Sequence, residues 1–227
     1  MMTPLELTGQ TDSHLGSTLV GQKTFLVHPN VEHDLLALKQ AADNAGFEFN
    51  IASGFRDYQR QCTIWNNKMS GQSVILDSNS QPLDSHGLSD GQKVQAILRW
   101  SALPGSSRHH WGSDFDVFDR QALPDGETLK LEPWEYLDGH QSEFYQWLKT
   151  HLAEFGFFFP YRQDLGGVSP EPWHISHRAT AQSCLEALTP KLLAEQISQT
   201  PFLGAEYVLE HLDSIYTGYI ANIDQAS

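Results

Sequence analysis

The chain has 227 residues, of which 40% are hydrophobic, enough for one sizeable core with appendages but short for two domains. Its 28 acidic residues outnumber the 14 basic ones and give a formal net charge of −14. Nucleic acid and anionic membrane surfaces attract clustered positive charge, so neither is an expected partner.

Apolar runs, the N-terminus and the cysteines indicate the cellular compartment. No apolar run reaches the ~20 residues of a membrane-spanning helix, so membrane insertion is not expected. The N-terminus lacks a basic start followed by an apolar run, which predicts a cytoplasmic protein, with action in the periplasm left open. Cys62 and Cys184 are too few for a disulfide framework, and free buried thiols are expected, with one bridge as the alternative.

Hydrophobic periodicity and turn residues predict a mixture of helices and short strands. Asp57 is suited to cap one of the helices. On the predicted strand 115–119, alternation places Asp114 and Asp116 on one face and Phe115 and Val117 on the other. In chain order the predicted elements are an irregular arm (1–23), a helix (31–45), a strand (47–51), a helix (57–70), a polar segment with a hairpin near 78–80 (71–89), a helix (90–100), a strand (115–119), an irregular segment (120–139), a helix (144–152), a strand (157–160) and two helices (179–198 and 204–220).

Helices and strands that do not alternate regularly predict an α+β fold, with a small, mostly antiparallel sheet flanked by helices. We predict an irregular N-terminal arm over 1–23, a core over 24–178, and a helical C-terminal extension over 179–227 that packs on the core. The segment 71–89 is interpreted as a lid over a cleft or as an insertion. The oligomeric state stays open.

Two short motifs carry the chemistry. The first runs from Ser107 to Asp116 with the pattern S-x-H-x-x-G-x-x-x-D, and the second is E-x-W-H at 171–174. Two imidazoles and a carboxylate are a ligand set that suits one zinc ion and leaves a coordination position for water. A further carboxylate, Glu171, lies three residues before a candidate ligand, where it can accept a proton from the attacking water.

These motifs, in this order, resemble the VanY/VanX-type zinc D-Ala-D-Ala carboxypeptidases and dipeptidases (LAS-type metallopeptidases). A third segment, Ser53-Gly54-Phe55-Arg56 followed by Gln61, is similar to that family's S-G-[FY]-R-x-x-x-x-Q motif. The three matches together cover roughly residues 47–177. The resemblance implies a zinc site in a cleft on the sheet.

The resemblance also implies the role of each matching residue. His109, Asp116 and His174 would hold one zinc ion, with Glu171 as general base and Arg56 polarising the substrate carbonyl. Ser107, Gln61 and Trp173 would lie near the substrate. Asp114 stands where the family commonly has alanine, so it would support a ligand from behind, as would His110.

Several alternatives remain open at this stage. His110 could be a ligand in place of its neighbour His109, and Asp114 in place of Asp116. Arg56 could be a salt-bridge donor at a helix start. A serine hydrolase built from Ser107 is disfavoured, because the chain has no G-x-S-x-G elbow and two residues of extended chain give a poor nucleophile–base geometry. The segment Glu132-Pro133-Trp134-Glu135 imitates the second motif without its histidine and is interpreted as structural.

The predicted function is that of a zinc peptidase hydrolysing the terminal peptide bond of a small D-amino-acid-containing peptide, such as a muropeptide or a cell-wall precursor. A D-Ala-D-Ala dipeptidase and an L,D-carboxypeptidase of the same fold are alternatives. A non-catalytic zinc-binding module is the alternative of a different class. That module would need neither Glu171 nor Arg56, and its zinc would tend to have a fourth protein ligand.

Overall fold

The computed structural model describes residues 2–224 and has the predicted mixture of helices and short strands. In chain order the elements are α1 (Pro4–Leu7), β1 (Gly16–Val20), β2 (Lys23–Val27), α2 (Pro29–Asn44), β3 (Phe49–Ser53), α3 (Tyr58–Met69), β4 (Ile75–Leu76), β5 (Pro82–Leu83), α4 (Asp90–Leu98), a 3₁₀ turn (Arg108–Trp111), β6 (Asp114–Asp119), α5 (Pro133–Leu137), α6 (Ser142–His151), a 3₁₀ turn (Leu152–Phe155), β7 (Phe157–Phe158), β8 (His174–His177), α7 (Arg178–Ala187), α8 (Pro190–Gln199), α9 (Ala205–Glu210), α10 (Leu212–Ile215) and a π-helical turn (Tyr216–Ile220).

The central sheet has the strand order β3-β6-β8-β7, with antiparallel neighbours throughout. The register aligns Asp116 of β6 with Ser53 of β3 on one side and with His174 of β8 on the other. Two separate two-stranded ladders, β1-β2 and β4-β5, lie outside this sheet. The predicted α+β class is confirmed, as is the predicted hairpin in the segment 71–89.

Two hydrophobic clusters lie in the structure. One is mainly helical and joins α3 and α4 to the C-terminal helices, with Trp65, Val94 and Leu193 fully buried. The other packs α2 and α6 against the central sheet, around Phe115 and Val117. Because side chains alternate along a strand, burying these two residues turns Asp114 and Asp116 to the opposite face of β6.

Local capping explains several element boundaries. The carboxylate of Asp57 accepts a hydrogen bond from the backbone N–H of Arg60 at 2.6 Å, so α3 begins where the cap was predicted. A single helix over 179–198 was predicted, and that prediction is wrong. Pro190 cannot continue the preceding helix, and Thr189 caps a new one by accepting from the N–H of Leu192.

Other predictions of local structure are corrected. Residues 1–23 are not an irregular arm, since α1 is held by a capping box between Thr3 and Glu6 and β1 pairs along its length with β2. The segment 120–139 contains α5, and the predicted helix 204–220 is divided at His211. These elements are too short for periodicity to reveal. Residue 1 of the predicted arm and residues 225–227 of the predicted extension lie outside the described residues.

The C-terminal helices contribute to the helical cluster, where Ala181, Leu193 and Val208 pack with residues of α3 and α4. Within residues 2–224, no helix has both the length and the apolar character required to cross a lipid bilayer. Cys62 and Cys184 are both buried free thiols.

Candidate active site

Three buried side chains from separate segments meet on the open face of β6. His109 comes from the 3₁₀ turn, Asp116 from β6 and His174 from β8, and a ligand atom of each lies within 4.8 Å of the other two. His109 Nε2 is 3.5 Å from Asp116 Oδ2, and His174 Nδ1 is 3.5 Å from Asp116 Oδ1. Gly112 ends the 3₁₀ turn with φ +64, and a Cβ there would press on the backbone nitrogen of His28, so glycine is required.

The other nitrogen of each imidazole is fixed by the protein. His109 Nδ1 lies 2.9 Å from the carbonyl oxygen of Gly54, which can only accept, so this nitrogen carries the proton. His174 Nε2 lies 3.1 Å from Asp114 Oδ1, and donates to that carboxylate. Each ring therefore turns its other nitrogen toward Asp116, which is the nitrogen that a metal ion would bind after displacing any proton on it.

Asp114 is fully buried and supports His174 from behind. Arg108 Nε donates to Asp114 Oδ1 at 2.7 Å, and the hydroxyl of Ser113 donates to Asp114 Oδ2 at 2.6 Å. Arg108 Nη2 in turn donates to the hydroxyl of Ser176 at 2.6 Å. Burial alone would raise the pKa of Asp114, but Arg108 and His174 hold it below its usual range. Both oxygens of Asp114 are thus engaged by neighbouring side chains, and Asp114 reaches the cluster only through the Nε2 side of His174.

The cluster fits a cation. Asp116 Oδ1 is buried and has no hydrogen-bond partner among the described residues. Burial alone would raise the pKa of Asp116, but the imidazoles of His109 and His174 lower it, so the carboxylate stays ionised. Burial likewise lowers the pKa of His174, yet hydrogen bonds to Asp114 and Glu171 raise it to about 9, so a bound metal ion would displace a proton from this imidazole near pH 7. An ionised buried oxygen and two oriented imidazoles are a donor set suited to zinc.

Glu171 lies beside the cluster on the wall of a cleft. Its Oε2 is 3.1 Å from His174 Nδ1, and its side chain is 15% exposed. The backbone N–H of Glu171 donates to the carbonyl of Tyr161 at 2.8 Å, and the N–H of His174 donates to the carbonyl of Glu171 at 3.1 Å. This tight turn into β8 sets the separation between Glu171 and His174.

Arg56 also lines the cleft. Its guanidinium donates to Gln61 Oε1 at 2.9 Å and to the Ser53 hydroxyl at 3.1 Å, both neutral acceptors. Burial lowers the pKa of Arg56, while the charges of Asp116 and Glu171 raise it. The alternative of Arg56 as a salt-bridge donor finds no support in the described residues, because no carboxylate lies within 4.0 Å of it.

Two predicted residues stand behind Arg56. Gln61 is fully buried, and its amide also donates to the carbonyl of Ala102 at 2.6 Å, so it holds Arg56 instead of facing the cleft. His110 is fully buried, with Nδ1 2.6 Å from the carbonyl of Arg56 and Nε2 accepting from the N–H of Gly105 at 3.3 Å. Burial lowers the pKa of His110 to about 3, so the ring is neutral. It points away from the metal-ligand cluster.

The cleft encloses a volume of about 350 Å³. Ser107 and Trp173 both line it, and the Ser107 hydroxyl is buried with no hydrogen-bond partner in the described part of the chain. Ser107 therefore makes no hydrogen bond to His109, which removes the geometry of a serine hydrolase. The hairpin segment and the C-terminal segment also reach the cleft, through Leu76 and Tyr219.

Sequence reasoning missed some residues of this site. The ion pair of Arg108 with Asp114 was not predicted, because the motif pattern does not show that these two side chains are buried together. Lys68 lines the cleft from the last turn of α3. Lys68 is four residues after Ile64, which also lines the cleft, and this helical spacing could have predicted that the two side chains share a face of α3. Glu135, at the end of the segment Glu132-Pro133-Trp134-Glu135, is buried and accepts hydrogen bonds from the backbone N–H groups of Lys130 and Glu132, which agrees with a structural role.

A buried His-Asp-His cluster with a carboxylate beside it in a cleft is an arrangement typical of mononuclear metallopeptidases. The VanY family model, described as D-alanyl-D-alanine carboxypeptidase, matches residues 24–180. The chain belongs to this family, and is therefore a peptidase.

Individual relatives agree with this assignment. An uncharacterized protein of Haemophilus influenzae is 37% identical over 121 residues, which are 52% of this chain and 92% of the relative. A D-alanyl-D-alanine carboxypeptidase of Enterococcus faecalis is 27% identical over 130 residues, 56% of this chain and 39% of the relative. The solved structure of VanYB in complex with D-alanine-D-alanine has a TM-score of 0.52 at 23% identity, over 88% of this chain and 90% of that one. It shares the fold.

Proposed function

We propose that the chain is a zinc-dependent carboxypeptidase that removes the terminal residue of a small D-amino-acid-containing peptide, of the D-alanyl-D-alanine type. The observation that carries the proposal is the meeting of His109, Asp116 and His174 beside Glu171 in a cleft. The preference for D-residues is supported by the family description and by the ligand of the VanYB structure.

His109, Asp116 and His174 would hold one zinc ion. Such an ion lowers the pKa of a coordinated water to about 7 and polarises a carbonyl group. The acceptors Gly54 O and Asp114 Oδ1 each hold one nitrogen of an imidazole, so that the other nitrogen of each ring faces the position of the ion.

Glu171 acts as the general base in this proposal. Its carboxylate lies 3.1 Å from His174 Nδ1, a ligand atom, and so within reach of a water molecule at the cluster. It accepts the proton of the attacking water and passes it to the leaving amine, a role that accelerates hydrolysis by typically 10²–10⁴-fold.

Arg56 stabilises the negative charge that grows on the carbonyl oxygen of the scissile bond. A guanidinium suits this task because it stays protonated despite burial. Gln61 and His110 fix its side chain and its backbone, respectively, so that little reorganisation is needed. Ser107 and Trp173 contact the bound peptide from the cleft wall.

The non-catalytic module is less well supported. A structural zinc site tends to be closed by a fourth protein ligand. The two candidates for that position, His110 and Asp114, make their hydrogen bonds elsewhere. A D-Ala-D-Ala dipeptidase and an L,D-carboxypeptidase stay as alternatives that the substrate panel below separates.

The decisive experiment compares Glu171→Gln with the parent protein and with Glu195→Gln, which changes an exposed glutamate on α8. Each protein is stripped with a chelator, reloaded with zinc, and incubated with an acylated D-Ala-D-Ala peptide, free D-Ala-D-Ala, and a peptide ending in L-Lys-D-Ala. We expect one zinc per chain in all three proteins and a loss of about 10²–10⁴-fold in hydrolysis for Glu171→Gln alone. Equal rates for Glu171→Gln and the parent would disprove the assignment of the base.

A further inference from the structure

Lys68 places a positive charge in the cleft away from the metal-ligand cluster. It belongs to the last turn of α3, is half-buried, and lines the cleft together with Arg56 and Glu171. Its Nζ donates to the hydroxyl of Ser101 at 2.6 Å. That hydrogen bond spans 33 residues of sequence and fixes the ammonium group against the segment that leads into the first motif.

The ammonium group has no anionic partner within residues 2–224, since no carboxylate oxygen lies within 4.0 Å of Nζ. In contrast, the cleft cation Arg108 is paired with Asp114. An unpaired cation is notable in a chain with 28 acidic and 14 basic residues. Burial lowers the pKa of Lys68, and the charge of Glu171 raises it, so a carboxylate nearby favours its charged form.

An ammonium group has three donors, and Ser101 uses one of them. Two donors therefore remain for a ligand. The cleft holds about 350 Å³, within the range of small-molecule sites, so a short peptide that reaches the cluster also comes near Lys68. Burying a cation has a desolvation cost that is recovered when an anion binds, which favours anionic ligands over neutral ones.

We propose that Lys68 binds a free carboxylate of the peptide substrate and so makes the cleft selective for peptides that carry one close to the scissile bond. The inference rests on the proposed peptidase function for the identity of the ligand. A C-terminal carboxylate and a side-chain carboxylate offer the same chemistry. The C-terminal group, if it is the one bound, would restrict cleavage to the end of the chain.

The test measures binding in the Glu171→Gln background, where hydrolysis is suppressed. N-acetyl-D-Ala-D-Ala and its C-terminal amide are titrated into this zinc-loaded protein and into versions that add Lys68→Met, Lys68→Arg or Lys191→Met. Methionine keeps the apolar stem, arginine keeps the charge, and Lys191 is an exposed lysine (87%) on α8. Thermal melts check that all versions are folded.

We expect Lys68→Met to raise the Kd of the acid by about 10- to 100-fold and to leave the Kd of the amide within a few-fold. Lys68→Arg should recover most of the affinity, and Lys191→Met should change neither value. A matched pair of N-acetylated peptides, both C-terminally amidated and with glutamate or glutamine before the scissile bond, tests the side-chain carboxylate. A loss confined to the glutamate peptide would assign Lys68 to the side chain.

The proposal is overturned if Lys68→Met changes the binding of acids and amides equally, if it changes neither, or if no acid binds measurably. Turnover is measured separately in proteins with Glu171 intact, where a raised KM with a nearly unchanged kcat is expected. A parent protein that binds the acid through Lys68 and hydrolyses no peptide would refute the proposed function and leave the Lys68 inference standing.

Discussion

Asp114 and Asp116 are two carboxylates on the same face of one strand, and the structure predicts opposite consequences of neutralising them. Asp114 is fully buried and engaged by Arg108, Ser113 and His174. Asp116 has a buried oxygen without a hydrogen-bond partner in the described part of the chain. We therefore expect Asp114→Asn to act mainly on stability and Asp116→Asn mainly on metal binding.

The magnitude for Asp114→Asn follows from the buried ion pair. Removing one partner leaves Arg108, which is 4% exposed, as an uncompensated buried cation, and such losses amount to about 3–5 kcal/mol. The folded-state pKa of Asp114 lies below its usual value, so its contribution is present above about pH 4 and is lost as the pH falls toward the folded-state value. Measurement at pH 7 captures it in full. Zinc affinity should also fall, by about 10–100-fold, because His174 loses the acceptor that orients it.

For Asp116→Asn we expect the reverse. Its nearest imidazole nitrogens are 3.5 Å away, beyond good hydrogen bonds, so the metal-free protein should lose only about 1 kcal/mol. The substitution removes a zinc ligand, however, so the zinc affinity of Asp116→Asn should be lower than the zinc affinity of Asp114→Asn.

Urea unfolding of the metal-free proteins at pH 7 measures the first quantity, and competition with a chromophoric zinc chelator measures the second. The reasoning is refuted if the metal-free Asp114→Asn protein unfolds within about 1 kcal/mol of the parent, or if Asp116→Asn is the less stable of the two.

Two further predictions concern close contacts at glycines, each with a matched control. Gly9 has φ +72, and an alanine Cβ there would overlap the imidazole of His110, whereas Gly46, with φ +95, has no atom within 4 Å of its Cβ position. Gly9→Ala should therefore lower the free energy of unfolding by about 1–3 kcal/mol more than Gly46→Ala, and equal losses would contradict the contact. An alanine Cβ at Gly167 would overlap the carbonyl oxygen of Gly218, in the turn that lines the cleft, so Gly167→Ala should raise KM several-fold. Gly218→Ala is the control, because there is open space at its Cβ position, and it should leave KM unchanged. An equal change of KM in both variants would argue against the contact.

The motifs and their resemblance to the family predicted which residues form the cluster, with His110 and Asp114 as alternatives. The convergence of His109, Asp116 and His174 agrees with that prediction, while their roles stay proposals. The choice of Asp116 over Asp114 rested on the family resemblance alone, since the two residues share a strand face and spacing does not separate them. It depends on which one lies opposite His174 in the register and which one is held by Arg108.

Other features lay beyond sequence reasoning for physical reasons. Lys68 enters the cleft because Ser101, from a different segment, holds its ammonium group. The division at Pro190 could have been predicted, because a proline after a threonine is a helix-start signal. It was missed because the apolar spacing continues across it. The helix α1 depends on a capping box over four residues, too few for any periodic pattern.

The cluster lies between the two hydrophobic clusters. His109 is two residues from Trp111, which is anchored in the helical cluster, whereas Asp116 and His174 are flanked by Phe115, Val117 and Ile175 of the sheet cluster. An ion held by all three side chains would clamp the halves of the molecule to each other, and local opening of either half would release it. The rate at which the ion is lost would thus be set by the half that opens more easily. Hydrogen exchange in both halves should slow together when zinc is added.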